Sequence, residues 1–134
     1  MLLPTERSRT VNAADDGDRL AQASLQAALL EALDSAAAAD QDFVRIVDAA
    51  RSVSTDDEHD PDGAGLAVER ALITARVRQA RARLTDLTRA VDRVALGRYG
   101  RCEACGGPIG AERLAARPAA PTCIGCATEE EHGR

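Results

Sequence analysis

Apolar positions along the 134-residue chain fall into two heptad runs separated by a short stretch of helix breakers. Leu25, Leu29, Ala32, Ala36, Ala39, Phe43, Ile46, Ala50 and Val53 follow one another at spacings of four and three, the period of one face of a coiled-coil helix. Ile73, Val77, Ala80, Leu84, Leu87, Val91 and Val94 keep the same alternation, and Leu66 and Arg70 extend it backwards. Ser54 to Gly65 contains Pro61, Gly63 and Gly65, so the chain is expected to reverse there and the two helices to pair antiparallel. Residues 1–18 show no sustained period and are expected to form a flexible arm or, at most, one short helix.

A reversal at that point opposes residues whose numbers sum to roughly 119, which sets Ala39 near Ala80, Ala36 near Leu84 and Ala32 near Leu87. Small side chains let the helix axes approach closely, but a buried Leu contributes only about 1.5–3 kcal/mol and Ala less. The hairpin is expected to be ordered and modestly stable. Heptad letters place Asp40 and Arg81 both at e, and Asp42 and Arg76 both at g, so each pair is expected to meet across the seam. Such pairs select a register at about 0.2–1 kcal/mol each.

Composition narrows the fold further. The chain has 28 alanines, one Phe, one Tyr, no Trp and no Lys. Aromatic rings usually dominate compact cores, so a sandwich, barrel or doubly wound sheet is excluded in favour of an all-α fold with no substantial β-sheet. The net charge of −5 divides unevenly: −9 over residues 1–62, +6 over residues 66–101 and −2 over residues 102–134. An acidic first helix beside a basic second one fits a hairpin, and an acidic total disfavours direct DNA binding. Leu20 to Leu30, the longest uncharged stretch of the first half, is too short to cross a membrane, and no signal-peptide pattern precedes it. A cytoplasmic protein is expected.

Cys102-Glu103-Ala104-Cys105 and Cys123-Ile124-Gly125-Cys126 stand seventeen residues apart, a spacing that reads as one tetrahedral zinc. In a reducing compartment the same thiols would not pair as disulfides. Few large apolar residues lie between the first and last cysteine, so the metal is expected to be structural. Four cysteine ligands also leave no open position for a water nucleophile. The chain carries no nucleophile motif and no phosphate loop, and it is not expected to be an enzyme.

The segment Gly97-Arg98-Tyr99-Gly100-Arg101-Cys102, followed by Cys105-Gly106, Ile109, Arg113-Leu114, Ala116-Arg117-Pro118, Cys123 and Cys126, resembles the DksA/TraR C4-type zinc finger. With the hairpin upstream, the resemblance implies a transcription factor that binds RNA polymerase. Its zinc module would dock outside the secondary channel while the coiled coil reaches towards the catalytic Mg²⁺. It also implies an arrangement of an arm at 1–18, a hairpin over 19–98 with an acidic tip at 54–65, a finger over 99–128 and a tail at 129–134. The family's tip motif, Asp-x-x-Asp-x-Ala, falls on His59, Asp62 and Ala64, with Asp60 one place from the first aspartate. Asp57, Asp60, Asp62 and Ala64 are therefore the candidate tip residues. Asp57 and Glu58 also allow a Gre-like use of tip acids to hold Mg²⁺. Arg117 matches a position at which family members bind guanosine tetraphosphate or contact the polymerase. Asp86 and Ala127 stand where other members have lysine, so a weak or absent alarmone response is implied. Arg78, Arg89 and Arg93 are expected on the helix surface, available to an acidic channel rim. A protein-protein adaptor unrelated to transcription, with the finger docking one partner and the hairpin another, is the alternative from a different class.

Overall fold

The computed structural model describes residues 4–53 and 62–133, with side chains described over 16–52 and 63–133. Four helices follow in order: α1 (Pro4–Val53), α2 (Asp62–Ala95), α3 (Ala111–Ala116) and α4 (Ile124–His132). Among the described residues there is no strand, only an isolated antiparallel bridge between Arg101 and Pro108. The chain divides into two compact units, Met1–Leu29 with Asp86–Arg134, and Leu30–Thr85.

Helix α1 starts earlier than the periodicity suggests. Residues 4–18, expected to be an arm or a short helix, are its first turns. A proline is well placed to open a helix because it lacks an N–H, and a first-turn N–H would have no intrahelical partner in any case. Gly17 is the only glycine in α1, beside thirteen alanines, and a single glycine costs about 1 kcal/mol against that propensity. Heptad counting misses such a segment because it detects a buried stripe, whereas Asp16, Asp18, Arg19 and Leu20 are exposed. Arg19 Nη1 lies 3.8 Å from Asp16 Oδ1.

The breakers also act differently from the expectation. Gly63 and Gly65 lie within the first turns of α2, and a Cβ at either would meet nothing within 4 Å. Their cost is offset by the long alanine-containing helix that follows them. Residues 54–61, and with them His59, Asp57 and Asp60 of the expected tip, lie outside the described residues. Asp62 opens α2 and Ala64 is exposed in its first turn.

Within the unit Leu30–Thr85 the helices run antiparallel. Arg81 Nη2 is 2.9 Å from Asp40 Oδ1, as the register predicts, and Arg83 Nη2 is 3.8 Å from Glu31 Oε2. The second expected pair is absent. Asp42 instead bonds Arg45 at 2.7 Å, one turn on along its own helix. Residues at i,i+3 are neighbours on one helix surface, so Arg45 is within reach of Asp42 without crossing the seam. Ala32, Ala36 and Ile46 are buried, while Phe43, Ile73, Val77, Ala80 and Leu84 are half-buried. An alanine seam has too little bulk to bury its own edges.

In the other unit, Ala21, Leu25, Leu87 and Ala90 are buried. Ala90 is fully covered where the heptad pattern expects Val91, which is 38% exposed. After Leu87 the buried stripe therefore continues at i+3 rather than i+4 near the end of α2. That end is a Schellman motif: Gly97, at φ +66°, donates to Val94 O, and Arg98 donates to Arg93 O.

Candidate metal centre

Both thiol pairs are set by backbone hydrogen bonds. In the first, Cys102 N–H donates to Gly107 O at 2.8 Å, and Gly106 N–H donates back to Cys102 O at 2.9 Å. Gly106 sits at φ +73°, a left-handed conformation that favours glycine. A Cβ on Gly107 would stand 3.3 Å from Cys105 Sγ, tighter than ordinary packing. In the second pair, Cys123 is the N-cap of α4 and its carbonyl accepts from Ala127. Cys126 then lies three residues along the same helical face. Gly125 is helical with ordinary room for a Cβ, so the turn does not require a glycine there.

These two turns bring the sulfurs of Cys102, Cys105, Cys123 and Cys126 within 4.8 Å of one another. Cys105 Sγ and Cys123 Sγ are 3.9 Å apart. A disulfide needs about 2.0 Å, and all four cysteines are free. Four sulfurs at about 2.3 Å from a central ion stand about 3.8 Å from each other. The donor set therefore fits one Zn²⁺, a structural ion that would be held by all four thiolates.

Electrostatics favour the same occupant. Backbone N–H groups of Cys105, then of Cys123 and Ala104, stabilise the Cys102 thiolate and hold it down at about 6 from an ordinary 9.0. Cys126 is pushed the other way: hydrogen bonding with the Cys123, Cys105 and Cys102 sulfurs, then burial and the negative charge of Cys102, keep its proton on. Neighbouring thiolates resist joint ionisation until a cation compensates them.

The chain approaching the second pair is held by side chains. Pro118 and Pro121 lack N–H groups, so residues 117–122 cannot pair as a strand, and their carbonyls need other donors. Tyr99 OH donates to Pro118 O at 2.8 Å, Arg93 Nη2 to Ala119 O at 3.1 Å, Glu103 N–H to Pro121 O at 2.9 Å, and Arg113 Nε to Thr122 O at 2.8 Å. Burial raises the Tyr99 phenol, partly countered by Arg93. Ala21, Cys102, Ile109 and Leu114 form the apolar cluster beneath, with Tyr99, Cys123 and Cys126 packed on it. The Arg-Leu pair and the Ala-Arg-Pro run thus have separate tasks, one a carbonyl donor with a core leucine, the other a loop of satisfied carbonyls.

The family model of the prokaryotic dksA/traR C4-type zinc finger matches residues 97–132. This segment is similar to the DksA/TraR-type zinc finger. Among solved structures, the chain is similar to transcription factor DksA2 from Pseudomonas aeruginosa. The two are 23% identical over 83% of this chain and 85% of that one, with a TM-score of 0.57. The fold is shared: helical coiled coil and C4 finger. A search of the curated proteins finds no match.

Around the DksA/TraR-type finger, Arg117 is exposed at the C-cap of α3, Asp86 is exposed, and Ala127 is half-buried. Of the expected tip residues, Asp57 and Asp60 fall outside the described residues, while Asp62 and Ala64 belong to the other unit. Arg93, expected on the surface, has a side chain only 11% exposed and is engaged with Glu103 and Ala119. Its placement was missed because heptad letters read only the helix-helix seam. The available signal was the pair of prolines, whose loop needed external donors.

Proposed function

We propose that this protein is a cytoplasmic, non-enzymatic transcription regulator that binds RNA polymerase directly. In this reading the zinc module docks outside the secondary channel, and the hairpin tip at 54–65 enters the channel to modulate initiation. The observation that carries it is the pairing of a DksA/TraR-type finger with two helices in a DksA2-like fold. The physical design supports it. An alanine seam brings two helices close, and a narrow helix pair enters a passage that a globular domain cannot. None of the described helices is long and apolar enough to cross a membrane.

The proposed tip residues are Asp57, Asp60, Asp62 and Ala64, with Arg117 as a polymerase or alarmone contact. With Asp86 and Ala127 at positions where lysine is expected, guanosine tetraphosphate binds weakly or not at all. A photocrosslinker at residue 60, mixed with the host polymerase, is expected to capture the region around the active site. Capture elsewhere, or no binding, rejects the proposal. Alanine at Asp60 and Asp62 should remove the effect on transcription and leave polymerase binding nearly unchanged. An adaptor unrelated to transcription would show neither result.

A further inference from the structure

We propose that Arg93 couples zinc occupancy to the C-terminal end of α2. Its guanidinium reaches both halves of the metal site: Nη1 lies 3.4 Å from Glu103 Oε1, between the first two cysteines, and Nη2 lies 3.1 Å from Ala119 O, four residues before Cys123. The same residue caps the helix, since Arg93 O accepts from Arg98 N–H at 2.8 Å and Tyr99 N–H at 3.1 Å. One residue therefore terminates α2 with its backbone and spans the two thiol pairs with its side chain.

The arrangement depends on both acceptors staying in place together. Glu103 and Ala119 belong to segments sixteen residues apart in sequence. They are linked by the Glu103 N–H to Pro121 O bond and by the clustering of the four cysteines. Zinc closes that cluster. When it leaves, the segments are free to part, and a guanidinium at 11% exposure loses acceptors that water cannot fully replace. The side chain then has to move out, and the last turn of α2, which surrounds it, loosens. A guanidinium suits the task because it presents separate N–H groups to two acceptors in a fixed plane, which a lysine ammonium does not. Linkage is reciprocal: if zinc stabilises the Arg93 contacts, those contacts strengthen zinc binding by the same factor.

The test uses the full-length protein, zinc-loaded and after treatment with a chelator. Hydrogen exchange is followed at the amides of residues 90–99, and zinc affinity is measured by competition with a chromophoric chelator. In the wild type, chelation is expected to accelerate exchange at these amides at least tenfold. Arg93→Ala, still loaded, should already exchange about tenfold faster and bind zinc about tenfold more weakly, the size expected for charged hydrogen bonds. Chelation should then add less than about threefold at these amides. Arg98→Ala, which alters an exposed neighbour, should behave as the wild type. Wild-type protection and zinc affinity in Arg93→Ala would overturn the proposal, as would an unchanged response to chelation. If Arg93→Ala does not accumulate folded, Arg93→Lys decides: intermediate values in both readouts support the coupling, and wild-type values in both contradict it.

Discussion

The unit of residues 1–29 and 86–134 and the unit of residues 30–85 reach order by different means. In the first, four thiols, a chain of satisfied loop carbonyls and the buried side chains Leu25, Leu87, Ile109 and Leu114 act together. The second has one large buried apolar side chain among its described residues, Ile46, and a seam of alanines. Order there rests on helix propensity spread over many residues, so deletions other than at Ile46 should cost little. In the finger, helices are short and few bonds are regular, so single groups carry much of the structure. Local density of specific contacts, more than helix content, should set the sensitivity of each unit to mutation.

The largest break expected in this comparison is Cys102→Ser. Structural zinc supplies an apparent 10–16 kcal/mol, about an order of magnitude more than a surface contact. Native mass spectrometry should show loss of the metal, and limited proteolysis should cut within 97–132 before it cuts within 30–52. Proton release on zinc uptake gives the electrostatic counterpart. Because its value is lowered to about 6 from 9.0, the Cys102 thiolate stabilises the metal-free fold above pH 9, and this contribution is lost as the pH falls through 6. Where the metal-free finger keeps this geometry, zinc displaces little proton from Cys102 at pH 7, and release through this group should rise as the pH falls through 6. Indicator titration of the apo protein checks it; no increase in release on going to the lower pH contradicts the assignment.

Core truncations come next. Leu114→Ala, at a side chain 5% exposed, should cost about 2–5 kcal/mol in chemical denaturation. Ile46→Ala should cost the same order within the hairpin unit, whereas Leu72→Ala, at 59% exposure, should stay within about 0.5 kcal/mol. A large loss at Leu72 would mean that this face is covered by a partner. Tyr99→Phe removes one hydrogen bond to Pro118 O and should cost about 0.5–1.5 kcal/mol, read as a lower melting temperature of the loaded protein. The smallest effect belongs to Asp40 and Arg81: a double-mutant cycle should give a coupling of about 0.2–1 kcal/mol that shrinks in salt. Zero coupling at low salt would leave the register without that support.

The parts legible in the sequence are those governed by spacing. The 4,3 repeat carries the seam, and the two C-x-x-C pairs carry the metal site, because both depend on fixed helical or turn geometry. What failed depended on context. The start of α1 at Pro4 needs no buried stripe, so periodicity could not mark it. Asp42 took the nearer Arg45 over Arg76, a competition between two available partners that heptad letters do not rank. Arg93 was read as a surface charge because its acceptors, Ala119 O and Glu103, come from segments whose placement follows from the zinc turns.

The central claim is that metal organises the finger while the hairpin unit holds by its own helices. Residue-resolved hydrogen exchange before and after chelation tests it most directly. The account predicts that residues 97–132 lose protection on zinc removal, while amides at 33–47 and 70–84 change by less than about threefold. Retained protection across 97–132, or equal loss in both units, would contradict it.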